Sequence, residues 1–402
     1  MAKLLFFNIP GYGHVTPSLP VVEELTRRGH TVVYFITETF RPLVESAGAQ
    51  YRATPGLDDD YFDRRGLDGS TPVRVAAALV ATAQEILPAL LEQARAEQAD
   101  LALFDATCPW GYVAARSLGI PTVSSLALLP PAPPAAMLNL QMLRFALPVL
   151  LHGFREGLEA NRRIKALTQQ YGVRPLGATE LMLAPGDISL CYTSREFVAY
   201  ASKVPASVRF VGWTIRDGQP AEPLPFSDAR PLIYASLGTL NNKDAAIFQS
   251  FIEAFTGSDA NVLISTGKRF NAESFGALPS NIAVRPWVNQ PDVLRQAALF
   301  ICHGGLNSVH DSLYRGVPML VVPQQNEQAI NGWRVAELGA GLLLKPGQAN
   351  AAAIHSHATQ ILGDAQFRES AQRMGDTLRA AGGAPKAADE VESLLRAGNG
   401  HV

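Results

Sequence analysis

The sequence has few cysteines and no excess of positive charge. Its 402 residues include three cysteines, which are Cys108, Cys191 and Cys302. Because they are far apart and odd in number, they argue against a disulfide framework and against a cysteine-rich metal site, and they favour a reducing cytoplasm. The formal net charge is −2. Binding to nucleic acid or to an anionic membrane surface normally needs clustered Lys and Arg, so neither is expected.

Long uninterrupted apolar runs are also missing. Proline or polar side chains interrupt each stretch before it reaches about eighteen apolar residues, so the sequence predicts no membrane span. The start, MAKLLFFNIPGYGH, contains one lysine and a short apolar run that leads into a turn, which predicts a first strand and not a signal peptide. A chain of 402 residues is long enough for two domains, each with its own core.

The first elements predict an α/β protein. Leu4 to Ile9 is a continuous apolar strand, a helix runs from the following turn to about Arg28, and Thr31 to Ile36 is a second strand. This order predicts a mostly parallel sheet with helices on both faces. The turn, GYGHVT, resembles a dinucleotide fingerprint, but Thr16 stands where the third glycine is required, and we reject that interpretation.

Two polar residues follow strands of this first sheet. His14 lies where the first strand ends and the first helix begins, and the positive end of a helix favours a neutral imidazole. Asp105 follows the apolar strand Asp100 to Phe104. It is either a helix cap or a catalytic carboxylate. If the two strands are neighbours, Asp105 can reach the ring of His14 and orient it, as carboxylates do in hydrolase triads.

A second sheet begins after a segment rich in proline, glycine and charge, Asp217 to Arg230, which predicts an interdomain linker. Pro231 to Thr239 is a strand that ends in a glycine turn. Leu299 to Cys302 is another, and it runs into His303-Gly304-Gly305 and a helix that opens at Leu306. Glycines admit a ligand close to the backbone, and the N–H groups of the first helical turn suit a phosphate.

Polar residues line this second turn at helical spacing. His303, Asn307 and Asp311 are four apart and therefore share one helix face. A further apolar strand, Met319 to Val322, leads to Glu327 and Gln328 at the start of another helix. Ligands of open α/β sheets collect at such carboxyl ends of strands. The segment therefore predicts a cradle for a nucleoside diphosphate, with imidazole and amide near the phosphate and a carboxylate further along the helix face for sugar hydroxyls.

Four motifs in this region carry a resemblance to a known family. They are W-x-x-Q at Trp287 to Gln290, H-G-G-x-N-S at His303 to Ser308, G-V-P at Gly316 to Pro318 and E-Q-x-x-N at Glu327 to Asn331. In this order they resemble the donor-binding signature of the family 1 UDP-glycosyltransferases, which act on plant secondary metabolites and on bacterial macrolides and flavonoids. The resemblance implies the GT-B fold, with two Rossmann-like doubly wound domains that face each other across a cleft.

The resemblance also implies a role for each matching residue. It assigns Trp287 to uracil, Gln290 and Asp311 to ribose, His303, Asn307, Ser308, Ser236 and Thr239 to the diphosphate, Glu327 and Gln328 to the hexose, and Gly238, Val288 and Gly305 to the lining of the donor site. The family usually has Glu where this chain has Asp311, so the contact with ribose is expected to be longer or to pass through a water. His14 in its G-x-G-H turn is implied as the general base and Asp105 as its partner.

The implied enzyme is an inverting hexosyltransferase that needs no metal ion. It would move a sugar, glucose first of all, from UDP to a hydroxyl of a hydrophobic small molecule. The implied domains are residues 1–213 for the acceptor, a linker at 214–230 that acts as a hinge, residues 231–380 for the donor, and a C-terminal helix at 381–402 that packs back on the first domain. We expect a cytoplasmic protein, either a monomer or a homodimer.

Several alternatives remain beside this function. A relative that uses a dTDP-deoxysugar and a silent nucleotide-sugar-binding subunit would share the donor motifs, whereas an epimerase would need no acceptor. Asp58, Asp59 and Asp60 are interpreted as a solvated loop and not as a metal site. The apolar, proline-interrupted stretch from Ser124 to Leu151 is either core packing or a wall for a lipophilic acceptor.

Overall fold

The chain forms two compact α/β units. A computed structural model describes residues 1–64, 72–130, 132, 154–177, 180, 182–216, 223–238, 244–267, 270, 272–345 and 347–398. Unit 1 comprises residues 1–216 together with 381–402, and unit 2 comprises residues 217–380. The linker expected at 214–230 thus begins inside unit 1 and continues into unit 2.

Unit 1 is built on seven described strands with helices between them. The strands are β1 Lys3–Phe7, β2 Thr31–Ile36, β3 Gln50–Ala53, β4 Leu101–Asp105, β5 Thr122–Leu126, β6 Ile188–Cys191 and β7 Val208–Phe210. The helices are α1 Tyr12–Arg27, α2 Arg41–Ser46, α3 Tyr61–Arg64, α4 Pro72–Ala96, α5 Pro109–Ser117 and α6 Phe154–Gln170. Short 3₁₀ helices span Glu38–Phe40 and Ala201–Lys203.

The strands of unit 1 form one parallel sheet in the order β3-β2-β1-β4-β5-β6-β7. Strand β1 therefore lies between β2 and β4, with Phe7 beside both Phe35 and Phe104. Helices cover both faces of such a sheet, so its strands read as continuous apolar runs. This register brings the carboxyl ends of β1 and β4 side by side, which positions His14 near Asp105.

Helix α4 supplies much of the core of unit 1. Within the described residues, Val73–Ala96 is the one helix long and apolar enough to cross a membrane by length and composition, although the sequence predicted none. Half of its most apolar window is buried inside the protein. Val80, Leu87 and Leu90 are fully buried there among side chains of the sheet and of α5. These contacts are those of a core helix.

The C-terminal helix, α13 Gly383–Gly398, belongs to unit 1. Arg28, at the end of α1, binds Asp389 at 2.7 Å and Glu392 at 3.1 Å. On α13, Ala387, Ala388 and Val391 are fully buried. The segment that leaves unit 1 is held on α1, because the Thr214 hydroxyl donates to the carbonyl of Pro17 at 2.6 Å.

Unit 2 also alternates strands and helices, and six of its strands are described. The strands are β8 Leu232–Ser236, β9 Asn261–Ser265, β10 Ile282–Arg285, β11 Ala297–Cys302, β12 Met319–Val321 and β13 Gly341–Leu343. The helices are α7 Ala245–Phe255, α8 Gln290–Leu294, α9 Leu306–Tyr314, α10 Asn326–Glu337, α11 Ala351–Gly363 and α12 Ala365–Ala380, and a 3₁₀ helix spans Ala272–Phe275.

The sheet of unit 2 is also parallel, in the order β10-β9-β8-β11-β12-β13. Strand β11 is central, and its last residue, Cys302, lies beside Ser236 of β8 and Val321 of β12. Its neighbours β8 and β12 therefore end at the same edge as the His303 turn. The predicted fold class, two parallel-sheet Rossmann-like units, is confirmed.

The structure contains strands that the sequence analysis did not predict, and it revises part of one stretch. Strands β3, β5 and β13 were not predicted. Ser124, placed at the start of an apolar stretch of undecided role, lies inside strand β5, where its hydroxyl donates to the carbonyl of Ala184 at 2.7 Å. Most of the rest of that stretch, residues 131 and 133–151, lies outside the described residues, so the expectation of an acceptor wall there stays a prediction.

Candidate active site

His14 and Asp105 form a contact at the carboxyl edge of the unit 1 sheet. His14 is in the first turn of α1, and Asp105 is the last residue of β4. The His14 Nδ1 atom lies 2.9 Å from Asp105 Oδ2. The histidine side chain retains 21% exposure whereas the aspartate side chain is fully buried. The pair thus presents a histidine at the surface with a carboxylate behind it.

Asp105 does not cap helix α5, so the interpretation of this residue as a helix cap is wrong. The N-cap of α5 is Cys108, whose sulfur accepts from the N–H of Gly111 at 3.3 Å. The carboxylate is held instead by Thr107. The backbone N–H of Thr107 donates to Asp105 Oδ1 at 2.8 Å, and the Thr107 hydroxyl donates to the same oxygen.

A buried polar network supports His14 from the other side. Asn8, which follows β1, donates from Nδ2 to the His14 carbonyl at 3.3 Å and to the Tyr34 hydroxyl at 2.7 Å. The Ser18 hydroxyl lies 2.8 Å from the same Tyr34 oxygen. Burial raises the pKa of Tyr34, so this phenol stays neutral. These hydrogen bonds fix the first turn of α1, and with it the backbone that carries His14.

In unit 2 a second histidine lies within a glycine turn. A Cβ added at Gly305 would approach His303 Nε2 to 2.4 Å, and one added at Gly238 would approach its Cε1 to 2.7 Å. Gly304 has φ +86°, and a Cβ there would meet the Gln328 carbonyl at 2.6 Å. The imidazole therefore occupies the space that Gly238 and Gly305 leave at the ends of β8 and β11, whereas Gly304 makes room for the Gln328 carbonyl.

His303 is neutral at physiological pH. Burial of the ring lowers the pKa of His303 to about 4, against a smaller opposing effect of the Ser236 backbone. Its Nδ1 atom is inaccessible to solvent and has no hydrogen-bond partner among the described residues. A neutral imidazole has one N–H. The ring can therefore act at this strand end as an uncharged hydrogen-bond donor.

Three predicted donor-site residues meet on the face of α9. The Nε2 of Gln290, at the start of α8, donates to Asp311 Oδ2 at 2.8 Å and lies 3.4 Å from the Ser308 hydroxyl. Ser308 and Asp311 are largely buried. Asn307, the second residue of α9, lies next to the glycine turn and is half-buried. The turn and this helix face thus form one continuous polar strip.

Trp287 stands next to this strip with its ring in solvent. It is 67% exposed, whereas its neighbour Val288 is buried. Placing an indole in water costs apolar burial, so an exposed tryptophan beside polar groups is typical of a contact surface. The side chain of Val288, which the resemblance assigned to the lining of the donor site, is thus buried in the structure and not exposed at its surface.

Gln328 has a structural contact besides its predicted role. Its Oε1 accepts from the backbone N–H groups of Gln324 at 2.8 Å and Gln325 at 3.1 Å, and it forms a capping box with Gln325 at the start of α10. Glu327 is exposed in the same turn. Asn331 donates from Nδ2 to the Gly304 carbonyl at 2.9 Å, which joins α10 to the glycine turn.

Ser236 lies at the end of β8, where its hydroxyl accepts from the N–H of Gly238 at 3.3 Å. Thr239, the other residue predicted to contact the diphosphate from this loop, lies outside the described residues. Asp58 and Asp59 are held by protein contacts, because Asp58 pairs with Arg64 at 2.7 Å and Asp59 accepts from the Thr39 N–H at 3.2 Å. In the part of the chain that the structure describes, no group of three or more His, Cys, Asp or Glu residues could hold a metal ion.

Sequence reasoning missed Thr107 and Asn8 as supporting residues, and it included Asn331 in a motif without assigning it a contact. Their positions in the sequence could have indicated them. Thr107 and Asn8 follow buried parallel strands, and Asn331 lies one helical turn after Glu327. An Asp-x-Thr sequence also favours the local hydrogen bonds seen at Asp105.

Comparison with known proteins agrees with this geometry. Residues 249–395 match the C-terminal domain of erythromycin biosynthesis protein CIII-like proteins. NDP-glycosyltransferase YjiC of Bacillus subtilis is 30% identical over 393 residues, which cover 97% of this chain and 96% of that protein. Demethyllactenocin mycarosyltransferase of Streptomyces fradiae is 32% identical, over 98% of this chain and 87% of that protein.

Solved structures are also similar over the whole chain. The calicheamicin glycosyltransferase CalG4 superposes with a TM-score of 0.80 at 27% identity, covering 98% of both chains. The glycosyltransferase of kitacinnamycin has a TM-score of 0.82 at 24% identity, which compares the fold alone. With both units, the strip of motif residues and full-length relatives in agreement, the chain belongs to the family 1 glycosyltransferases, enzymes of the GT-B fold.

Proposed function

We propose that the protein is an inverting, metal-independent glycosyltransferase that moves a hexose, glucose in the first place, from UDP to a hydroxyl of a hydrophobic small molecule. The observation that carries the proposal is the 2.9 Å contact between His14 Nδ1 and Asp105 Oδ2. A histidine that is partly exposed and backed by a buried carboxylate is the arrangement of a general base.

The proton transfer follows from this geometry. Asp105 accepts the N–H on Nδ1, so Nε2 carries the lone pair that takes the proton of the acceptor hydroxyl. The acceptor oxygen then attacks the anomeric carbon on the side opposite UDP. The bond from that carbon to the phosphate oxygen breaks, and its electron pair remains on UDP. A single displacement of this kind converts an α-linked donor into a β-glycoside.

The charge that develops on the leaving diphosphate needs stabilisation. The N–H groups at the start of α9 and its dipole favour a phosphate at the glycine turn. We propose that His303, Asn307 and Ser308 donate to it, together with Ser236 and Thr239 of the other loop. Donors held in place before the reaction would then serve where other enzymes use a metal ion.

The remaining donor contacts follow the polar strip. We propose that exposed Trp287 stacks on the uracil. Gln290 and Asp311, whose Nε2 and Oδ2 atoms lie 2.8 Å apart, would bind the ribose hydroxyls. Glu327 and Gln328 would bind the hexose. Since Gln328 Oε1 is occupied by the cap of α10, its contribution to the sugar comes from the amide nitrogen.

The names of the relatives support a natural-product acceptor and leave two donors to compare. The relative named a mycarosyltransferase favours, as a second candidate, transfer from a dTDP-deoxysugar; the one named an NDP-glycosyltransferase is compatible with either base. The intact pair of His14 and Asp105 speaks against a silent subunit. A cytoplasmic location and a monomeric or homodimeric state stay predictions.

Incubation of the protein with UDP-glucose or dTDP-glucose and a panel of phenols, flavonoids, macrolides and carotenoid alcohols tests the proposal. Mass spectrometry should detect a hexosyl adduct, its rate should be unchanged by EDTA, and NMR of the product should show a β-anomeric proton. An α-glycoside would contradict inversion, and loss of activity with EDTA would contradict metal independence. A product formed only from the thymidine donor would favour the second candidate.

A further inference from the structure

We propose that Thr107 is a positioning residue for the base: its hydroxyl holds the Asp105 carboxylate so that Oδ2 alone faces His14, and this sets both the orientation and the basicity of the imidazole. The inference rests on the proposed function, in which His14 accepts the proton. It concerns a residue that no sequence motif of the donor or acceptor site identified.

The two oxygens of Asp105 have different partners. Oδ1 accepts twice from Thr107, once from the backbone N–H at 2.8 Å and once from the hydroxyl. Oδ2 lies 2.9 Å from His14 Nδ1. The Thr107 oxygen itself is 3.4 Å from the same Nδ1. The threonine therefore touches both members of the pair while remaining almost fully buried.

This division of partners has an electronic consequence. Each donor on Oδ1 draws negative charge toward that oxygen and away from Oδ2. The charge that remains on Oδ2 decides how strongly the carboxylate stabilises an imidazolium. Without the hydroxyl donor, Oδ2 would hold more charge, and His14 would become easier to protonate. The Thr107 hydroxyl thus keeps the ring unprotonated to lower pH, which is the state that a general base needs.

Other ionisable groups near the carboxylate leave this control to Thr107. The Asp105 carboxylate acts electrostatically on three ionisable groups, which are Tyr34 on β2, Tyr192 after β6 and Cys108 at the start of α5. Burial raises the pKa of each of these groups, and the nearby carboxylate raises it further. They are therefore uncharged at neutral pH and do not compete with the hydrogen bond as a source of charge.

A purely structural role would give a different result. A threonine that only closes the turn after β4 would affect stability when its hydroxyl is lost, with no change in how His14 titrates. Its backbone N–H, which also binds Oδ1, is kept in any side-chain variant. The variants Thr107→Val and Thr107→Ser therefore isolate the hydroxyl, since valine keeps the shape and serine keeps the donor.

The test measures His14 directly and then the reaction. In protein labelled with ¹⁵N-histidine, the His14 ring signals are identified by their loss in His14→Gln and followed through a pH titration. Thr107→Val should move the titration of His14 to higher pH, whereas Thr107→Ser should match the wild type. In steady-state assays, kcat of Thr107→Val should fall roughly tenfold to a hundredfold, the acid limb of kcat/KM should move up, and KM for the donor should stay unchanged.

Thr168→Val is the matched control, because Thr168 is a fully buried threonine of unit 1 whose hydroxyl donates only to helix carbonyls at 2.9 Å. It should lower the melting temperature without moving the His14 titration. An unshifted titration in Thr107→Val overturns the inference, whatever its activity. If wild-type protein glycosylates no acceptor but the titration shifts as expected, the proposed function fails and the positioning role of Thr107 stands.

Discussion

Each unit places a histidine near the carboxyl end of a central strand of its parallel sheet, and the two histidines have different surroundings. His14 and His303 each follow a buried parallel strand and precede or open a helix. His14 has a carboxylate 2.9 Å from Nδ1 and keeps part of its ring exposed. Among the described residues His303 Nδ1 has no hydrogen-bond partner, and burial lowers the pKa of His303 to about 4.

The difference teaches that the environment, and not the residue type, separates the two roles. A carboxylate behind an imidazole stabilises the proton that the ring receives, which suits a base. A ring whose charged form is disfavoured by desolvation resists protonation and remains a neutral donor, which suits contact with a phosphate. In unit 1 side chains hold the histidine, whereas in unit 2 the missing side chains of glycines make room for it.

The largest effects are expected when either histidine is replaced by alanine, in two separate variants. His14→Ala should lower kcat by about 10²–10⁴-fold with little change in donor affinity, because a general base is lost. His303→Ala should mainly weaken donor binding, because a contact with the phosphate is lost. Steady-state kinetics and calorimetric titration with UDP separate the two. His355→Ala, at a helix residue of unit 2, should leave both quantities unchanged. Equal losses of kcat and donor affinity in both variants would erase the distinction.

The second prediction concerns stability against pH in unit 2. The pKa values of His303 and His310 are each lowered by burial from 6.5 to about 4. In that window the unfolded chain binds protons that the folded chain does not, so stability is complete above pH 6.5 and falls as the pH drops toward 4. The loss should reach roughly 3 kcal/mol for fully buried His310 and less for His303, which keeps partial exposure.

His310→Asn tests this slope without touching the donor site. The asparagine amide can replace the His310 Nδ1 hydrogen bond to the Leu306 carbonyl, which is 2.8 Å long. Urea unfolding at pH 7 and pH 5, with hydrogen exchange resolved on peptides of unit 2, should show a smaller loss in the variant. A slope identical to that of the wild type would mean that His310 is charged in the folded protein.

The third prediction sharpens the statement that glycines make room for His303. Gly305→Ala places a Cβ 2.4 Å from His303 Nε2, so the ring or the turn must move. Overpacking of this kind costs about 1–3 kcal/mol, and donor affinity should fall by up to roughly a hundredfold. Gly363→Ala is the control, since nothing lies within 4 Å of a Cβ there. Unchanged UDP affinity in Gly305→Ala would show that the histidine does not contact the donor.

The smallest effect is expected at Trp287. Trp287→Ala removes the exposed ring proposed to stack on uracil, and donor KM should rise by about fivefold to tenfold, with kcat unchanged. Trp287→Phe should retain most of the affinity. Leu362→Ala removes another exposed apolar side chain of unit 2 and serves as the control. Loss of kcat in place of affinity would move Trp287 from donor binding to another role.

Much of the fold could be predicted because parallel strands covered on both faces leave a clear trace. Leu4 to Phe7 and Leu299 to Cys302 are unbroken apolar runs, and both are fully buried strands. Strand β3, with the sequence QYRA, lies at the sheet edge and is mostly exposed. It lacks such a run, so no pattern separates it from a loop.

For the candidate site too, the positions of some residues could be predicted from the sequence, whereas their side-chain contacts could not. Glycine turns and the residues after strands mark where polar groups collect, so His14, Asp105 and the His303 turn could be placed from the sequence. The partners of these groups could not. That the Asp105 carboxylate binds Thr107, and that Gln328 caps α10, depends on side-chain rotation within a few ångströms. Spacing along the chain does not encode that rotation.

The connection of α13 to unit 1 has a consequence for how the protein is made. Unit 2 is one continuous segment, residues 217–380, whereas unit 1 is completed only by residues 381–402. A ribosome therefore releases every residue of unit 2 before the last helix of unit 1 exists. During synthesis Arg28 lacks Asp389 and Glu392 as partners until α13 has been made. A stop codon before α13 would remove these partners from the unit that carries His14.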